Sequence, residues 1–187
     1  MAAFFIYGGC MTQKIYIPIG IPASGKTYYY MHNMDKETVL RVSRDDINAA
    51  LSDSIFTKEI SKVIRKIEIS TMQLIIENGF SVYIDRTNLT PKVRKRFINK
   101  AKDVKQSIYV VGIVFDNNPE LSIERNKNRN LKDDLKAGIE RFIYTATKDF
   151  TLPTELEKFD EVIYINDKTR NDNSNSNNDS SGNDSKK

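Results

Sequence analysis

The chain has 187 residues, of which 39% are hydrophobic and 29% charged, and a formal net charge of +4. This is the profile of one globular domain with its own core, and it excludes a collagenous, low-complexity or disulfide-stapled chain. A single cysteine, Cys10, excludes an intramolecular disulfide, and a single histidine, His32, argues against a histidine-built metal site or triad.

No apolar run reaches the roughly 18 residues of a membrane-spanning helix. The apolar first ten residues lack the basic start of a signal peptide, so no membrane partner and a cytoplasmic location are expected. The Asn- and Lys-rich composition suits an AT-rich coding sequence, such as that of a virus acting in a host cytoplasm. Residues 1–13 read as an N-terminal extension, 14–166 as the folded domain and 167–187 as a polar tail. The tail has too few apolar residues to offset its ordering entropy, so it is expected to be disordered.

Taken in chain order, residues 15–19 form a short β-branched run, expected as a buried strand. Gly20-Ile21-Pro22-Ala23-Ser24-Gly25-Lys26-Thr27 follows and spells G-x-x-x-x-G-K-[ST], a phosphate-binding loop. Its glycines let successive N–H groups turn inward on an anion, and the next helix adds unpaired donors and partial positive charge. Lys26 is expected to reach the β- and γ-phosphates, and the Thr27 hydroxyl to ligate Mg²⁺. A helix runs from about Lys26 to Met34, with Tyr28-Tyr29-Tyr30 partly core and one ring free to stack on a base.

Val39 to Val42 is a second strand, and Ser43-Arg44-Asp45-Asp46 fits a capping box for the helix behind it. From Thr57 to Asn78, the residues Ile60, Val63, Ile64, Ile67, Thr71, Leu74 and Ile75 recur at helical spacing and predict one buried face. Gly79 stops that helix. Phe80 to Asp85 is a third strand, Pro91 opens a helix to about Asp103, and Ile108 to Phe115 reads as a strand buried on both faces. Helices over Pro119–Asn128 and Leu135–Lys148 and a strand over Glu161–Ile165 complete the pattern. Alternating strands and helices predict a three-layer α/β/α fold around a central parallel sheet. Ligands then bind beyond the carboxyl ends of the strands. The phosphate loop, Ser43–Asp46, Asp85–Asn88 and the loop after Phe115 should therefore share one rim.

Three clusters on that rim carry candidate chemistry. If Ser43 caps the helix and Asp46 reaches back to the cap, Asp45 is free to accept a hydroxyl proton; both carboxylates would also complement the helix dipole. Asp85, ending an apolar strand, has the place of a Mg²⁺-holding carboxylate or of a turn cap. Its neighbours Thr87 and Asn88 would orient the loop or touch an acceptor. Arg125 and Arg129 are four apart, so on a helix they would share a face and close over phosphates, unless that face is simply solvated. The basic run Lys92-Val93-Arg94-Lys95-Arg96, continued by Lys100 and Lys102, reads either as a track for a nucleic-acid backbone or as a solvated helix face.

The ordered set of phosphate loop, R-D-D, D-x-T-N and F-D … R-N-x-x-R resembles the 5′-hydroxyl polynucleotide kinases, over roughly Lys14 to Thr147. The resemblance implies a P-loop kinase fold and phosphoryl transfer from ATP, with Mg²⁺, to the 5′-hydroxyl ends of DNA or RNA. It implies that Lys26 and Thr27 hold the ATP phosphates and Mg²⁺, that Asp45 is the general base, and that Arg129, with Arg125 as a second candidate, acts from a lid. Asp85 matches a strand-end aspartate of many relatives. Phage members carry an arginine three residues after the base, which grips the acceptor phosphate; here that position is Asn48. Acceptor grip would fall to Arg44, Arg86 or the Lys92–Arg96 run. No D-x-D-x-T motif occurs, so a kinase without 3′-phosphatase activity is expected. Two other readings stay open: a P-loop kinase for a small-molecule hydroxyl such as a nucleoside or sugar, and a nucleotide-binding module that transfers nothing.

Overall fold

The computed structural model describes residues 12–55 and 57–166. Cys10, most of the expected N-terminal extension and the expected polar tail lie outside the described residues. Strands β1 (Lys14–Ile19), β2 (Val39–Ser43), β3 (Ser81–Asp85), β4 (Tyr109–Phe115) and β5 (Glu161–Ile165) make one sheet in the order β2-β3-β1-β4-β5. Every neighbouring pair is parallel. The helices are α1 (Lys26–Asn33), α2 (Arg44–Ser52), α3 (Lys58–Glu77), α4 (Pro91–Val104), α5 (Pro119–Lys127) and α6 (Asp133–Asp149), with a 3₁₀ turn at Glu155–Glu157. The expected three-layer α/β architecture is therefore present, and the predicted elements fall within a few residues of the observed ones.

Alternation along the strands builds the layers. Ile15, Ile17 and Ile19 of β1 point with Val82 and Ile84 of β3 to the face covered by Met72 and Ile76 of α3 and Phe97, Ile98 and Ala101 of α4. Tyr83, Val111, Ile113 and Phe115 point to the opposite face, where Tyr30 of α1 packs. Each such fully buried side chain contributes about 1.5–3 kcal/mol. A third cluster of Ile21, Leu89, Ile123, Ile143 and Ala146 seats α5 and α6 beside the phosphate loop.

Two sequence expectations need correction. The buried line of α3 is Ile64, Glu68, Met72 and Ile76, whereas Val63 and Leu74 are exposed. The i, i+4 spacing of that line was obscured because one of its members is a carboxylate. The second concerns α5, which ends at Lys127, capped by Asn128, so Arg125 and Arg129 do not share a helix face. Arg129 lies in the connection to α6, with its N–H bonded to the Asn126 carbonyl at 3.2 Å.

Candidate active site

The ends of five parallel strands form the predicted rim, and register sets its spacing: Ser43 is paired with Asp85, so the residues that follow each emerge side by side. The phosphate loop fills the turn from Ile19 to Lys26. A Cβ on Gly20 would meet Ser24 Oγ at 2.6 Å and Phe115 Cβ at 3.0 Å, so only glycine lets the loop lie this close to β4. Ala23 (φ 58°) and Gly25 (φ 97°) both take left-handed backbone. For Ala23 this conformation costs on the order of 1 kcal/mol. Gly25 caps α1 without a side-chain hydrogen bond, and the first turn of α1 has no acidic residue. That leaves a helix N-terminus suited to an anion.

Lys26 is 7% exposed, and its Nζ donates to the carbonyls of Gly20 (3.0 Å) and Ile21 (2.6 Å) and to Ser24 Oγ (3.2 Å). The ammonium is thus held inside the loop that would wrap phosphates. Buried Tyr83 fixes the start of α1 from beneath, donating its hydroxyl to the Lys26 carbonyl at 2.8 Å.

Thr27 Oγ1 donates to Asp85 Oδ2 at 2.8 Å, so the two expected metal ligands meet across 58 residues of chain. Arg41 of β2 donates to the same Asp85 oxygen at 2.5 Å and also pairs with Asp46. A hydroxyl and a carboxylate in contact are hard oxygen donors that fit Mg²⁺, which takes few protein ligands and completes its shell with water and phosphate oxygens. Among the described residues no group of three or more His, Cys, Asp or Glu side chains converges as a cage.

The capping box forms only by half. Ser43 Oγ accepts the Asp46 N–H at 3.2 Å, but the Asp46 carboxylate goes to Arg41 rather than back to the cap. Asp45, one position earlier in the first turn of α2, is exposed.

Asn88 is 1% exposed and held at φ 48°, and its Nδ2 donates to the carbonyls of Pro18 (2.8 Å) and Ile84 (3.1 Å). The Gly20 N–H donates to the Thr87 carbonyl at 3.0 Å. Of the two roles expected for Thr87-Asn88, orienting the loop is the one this geometry provides; buried Asn88 has no face toward an acceptor.

The basic run on α4 divides. Arg94 is fully buried: its Nε and Nη2 donate to Glu157 (2.7 and 2.8 Å) and its Nη1 to the carbonyls of Asn88, Leu89 and Thr151 (3.1, 2.9 and 3.0 Å). It is a staple between α4, the loop after β3 and the 3₁₀ turn, not part of a surface track. Arg96 instead turns toward α3. Its guanidinium lies 5.1 Å from the Phe97 ring centroid, and that of Arg86 lies 5.7 Å from the same ring. Arg86 pairs at 2.7 Å with Glu68, which is fully buried. Burial raises the Glu68 pKa above the usual carboxylate value, against the pull of Arg86, Arg44 and Arg96. Burial likewise lowers the pKa of Arg86 and Arg96. Asn48 is 1% exposed, and its Oδ1 accepts from Ser52 Oγ at 2.9 Å.

On the other side of the loop, Val114, Phe115, Asn117, Phe150 and Tyr164 border a cleft of about 360 Å³ at the ends of β4 and β5. His32 and Tyr28 stack on each other at 3.9 Å on α1.

Sequence reading missed Arg41, Tyr83 and Glu68. Only Glu68 left a trace, as a charge within an otherwise apolar helical line; the importance of Arg41 and Tyr83 depends on sheet order.

A parallel five-stranded sheet with a phosphate loop after its central strand defines a P-loop kinase-like nucleotide-binding domain. The chain belongs to the AAA domain family AAA_33, whose sequence model matches residues 15–153. No curated protein matches the sequence. Among solved structures, the chain is similar to a putative kinase from Chloroflexus aurantiacus, with TM-score 0.63, 13% identity and coverage of 84% of this chain and 86% of that one. A chain of the Pnkp1/Rnl/Hen1 RNA repair complex gives TM-score 0.55 and 22% identity over 76% of this chain and 47% of that one, so the similarity spans less than half of that neighbour. A gluconokinase from Sinorhizobium meliloti gives TM-score 0.52 and 13% identity over 82% of each chain. These likenesses establish the fold. No helix among the described residues is long and apolar enough to cross a membrane.

Proposed function

We propose that the protein transfers the γ-phosphate of ATP to the 5′-hydroxyl end of DNA or RNA. The observation that carries this reading is the division of labour in the first turn of α2: Arg41 engages Asp46 and also Asp85, the partner of Thr27, while Asp45, the next residue to Asp46, is exposed. A free carboxylate there suits a base that takes the acceptor proton as the phosphoryl group moves. Lys26, the loop N–H groups and the start of α1 would hold the β- and γ-phosphates. The cleft bordered by Phe115 and Asn117 would take the donor base, because Gly20 packs directly against Phe115. Thr27 and Asp85 would hold Mg²⁺, which supplies charge neutralisation between the phosphates when bound. Arg125, on α5, and Arg129, just past its end, would approach the phosphates from two segments rather than from one helix face. The RNA repair complex among the structural neighbours supports a nucleic-acid acceptor, and the gluconokinase supports the small-molecule alternative.

The test is incubation with γ-labelled ATP, Mg²⁺ and a 5′-hydroxyl oligonucleotide, beside a 5′-phosphorylated control and the Asp45→Ala variant. Label on the 5′-hydroxyl strand alone, lost in the variant, is the expected result. Equal labelling by Asp45→Ala would remove the assigned base. No labelling of any oligonucleotide would move the acceptor to a small molecule.

A further inference from the structure

The positive charge of α3 sits at one end. Lys58, Lys62, Arg65 and Lys66 fall in its first nine residues, where Glu59 is the one acid, and no lysine or arginine follows before Glu77. All four are exposed. Lys92, exposed in the first turn of α4, adds a fifth cation, and that turn has no acidic residue. None of the five joins an ion pair among the described residues.

This arrangement works against the helices that carry it. Lys58, Lys62 and Lys66 are spaced four apart, so like charges neighbour each other along one side. Lys58 and Lys92 sit at helix N-termini, whose partial positive charge disfavours cations, and Glu77 ends α3 where a cation would fit better. A local rule broken without a compensating contact points to function.

The fold sends these cations to the rim. α3 ends at Glu77, just before β3 starts at Ser81. Glu68 is level with the far end of β3, because Arg86, the first residue past Asp85, donates to it at 2.7 Å. Residues 58–67 therefore rise roughly 15 Å past the strand ends. α2, with Asp45 in its first turn, packs against α3, and α4 opens at Pro91 on the same end of the sheet. Ile55 and Val63, both more than half exposed, give the start of α3 apolar surface as well.

From this placement we infer that the N-terminal half of α3, with Lys92 of α4, is a docking surface for the single-stranded backbone of the acceptor, taking phosphates that lie beyond its terminal nucleotide. The inference rests on the kinase reading of the rim and adds that the acceptor is a polymer. Lysines along a helix read backbone charge rather than sequence, and unstacked bases can cover Ile55 and Val63. A small phosphorylated metabolite held beside Asp45 would leave this surface unused.

The probe is a 3′-labelled, 5′-hydroxyl oligothymidylate of about ten nucleotides, followed by fluorescence anisotropy against KCl and as an acceptor for transfer. Its affinity should fall with salt at a log–log slope of roughly −2 or steeper. Lys62→Gln/Lys66→Gln should flatten that slope by roughly 1 to 1.5. The same variant should raise KM for this strand about tenfold and leave kcat, KM for ATP and KM for a 5′-hydroxyl dinucleotide within about twofold. Its Tm should stay level or rise, because a repulsion has been removed. Lys36→Gln/Lys100→Gln, which removes two lysines from the opposite end of the sheet, should change none of these.

Strand affinity lost only in step with a fall in Tm, or a KM independent of strand length, overturns the inference even if oligonucleotides are phosphorylated. Polyglutamate of matched charge, bound as tightly and with the same variant dependence, overturns the assignment to nucleic acid. Strand binding that tracks the variants, with no phosphate transferred, keeps the surface and refutes the kinase reading instead.

Discussion

Replacing Arg94 by Met tests the strongest structural reassignment in the molecule. The side chain is fully buried and holds the Glu157 carboxylate, itself 2% exposed, through two donors, with three carbonyls on its Nη1. Methionine fills similar volume but leaves Glu157 in the interior without its counter-ion. Removing one partner of such a pair costs about 3–5 kcal/mol, a large share of the roughly 5–15 kcal/mol of a typical domain. At about 2–4 °C per kcal/mol for a chain of this size, Tm should fall by ~6–20 °C. Urea unfolding followed by circular dichroism measures the loss, and the double variant Arg94→Met/Glu157→Gln should regain part of it by removing the stranded charge. A loss below about 1 kcal/mol, or affinity for single-stranded DNA falling without any loss of stability, would refute the staple and restore Arg94 to a surface track.

The same pair sets a pH dependence. Burial pushes Glu157 up, but the Arg94 hydrogen bonds and the Thr154 N–H outweigh it and leave the carboxyl below its ordinary value. Its contribution is therefore full above the unfolded value of about 4.3 and is lost as pH falls through the lowered folded value; wild type minus Glu157→Gln stability, measured between pH 3 and pH 6, should shrink toward the acid end, and a flat difference would contradict this. Lys26→Ala should reduce phosphoryl transfer by more than about 100-fold, because the ammonium sits at the centre of the phosphate loop; near-normal turnover would deny that position any role. Asp46→Asn should cost less than about 1 kcal/mol and leave transfer nearly intact, since its own carboxylate is largely exposed and Arg41 keeps its second partner, Asp85, whereas Asp45→Asn should lower kcat by about 100-fold or more without weakening ATP binding. Asn88→Ala should lower stability by about 1–3 kcal/mol by stranding the Pro18 and Ile84 carbonyls; a change confined to acceptor KM would return Asn88 to the substrate.

The elements of this fold were legible because each carries a local signature. β-branched runs give β1 and β4, Pro91 and Pro119 open α4 and α5, and Thr57 and Asn78 bound α3. The phosphate loop and its meeting with Asp85 were equally readable, since the motif implies a strand, a turn and a helix in fixed order. What escaped was whatever depends on a partner distant in sequence. Arg94 looks like any other cation between Lys92 and Arg96 until Glu157, 63 residues on, comes into contact. Glu68 breaks an apolar line for the sake of Arg86. Asp46 fits a local cap, yet the longer-range charge of Arg41 wins. The helical pairing of Arg125 with Arg129 failed for a backbone reason, because α5 stops at Lys127 before the second arginine is reached.

The position of β1 in the middle of the sheet has a consequence for synthesis. Ile15 has its sheet neighbours at Val82 and Val110, so β1 leaves the ribosome with both edges unsatisfied until most of the described domain has followed. The loop behind it is braced by Tyr83, the Thr87 carbonyl and Phe115, all of which emerge later still than α1. Nucleotide can therefore act as a ligand for folding only after Phe115 has emerged: chains arrested before Phe115 should fail to be retained on immobilised ATP, and chains extending past Ile165 should be retained.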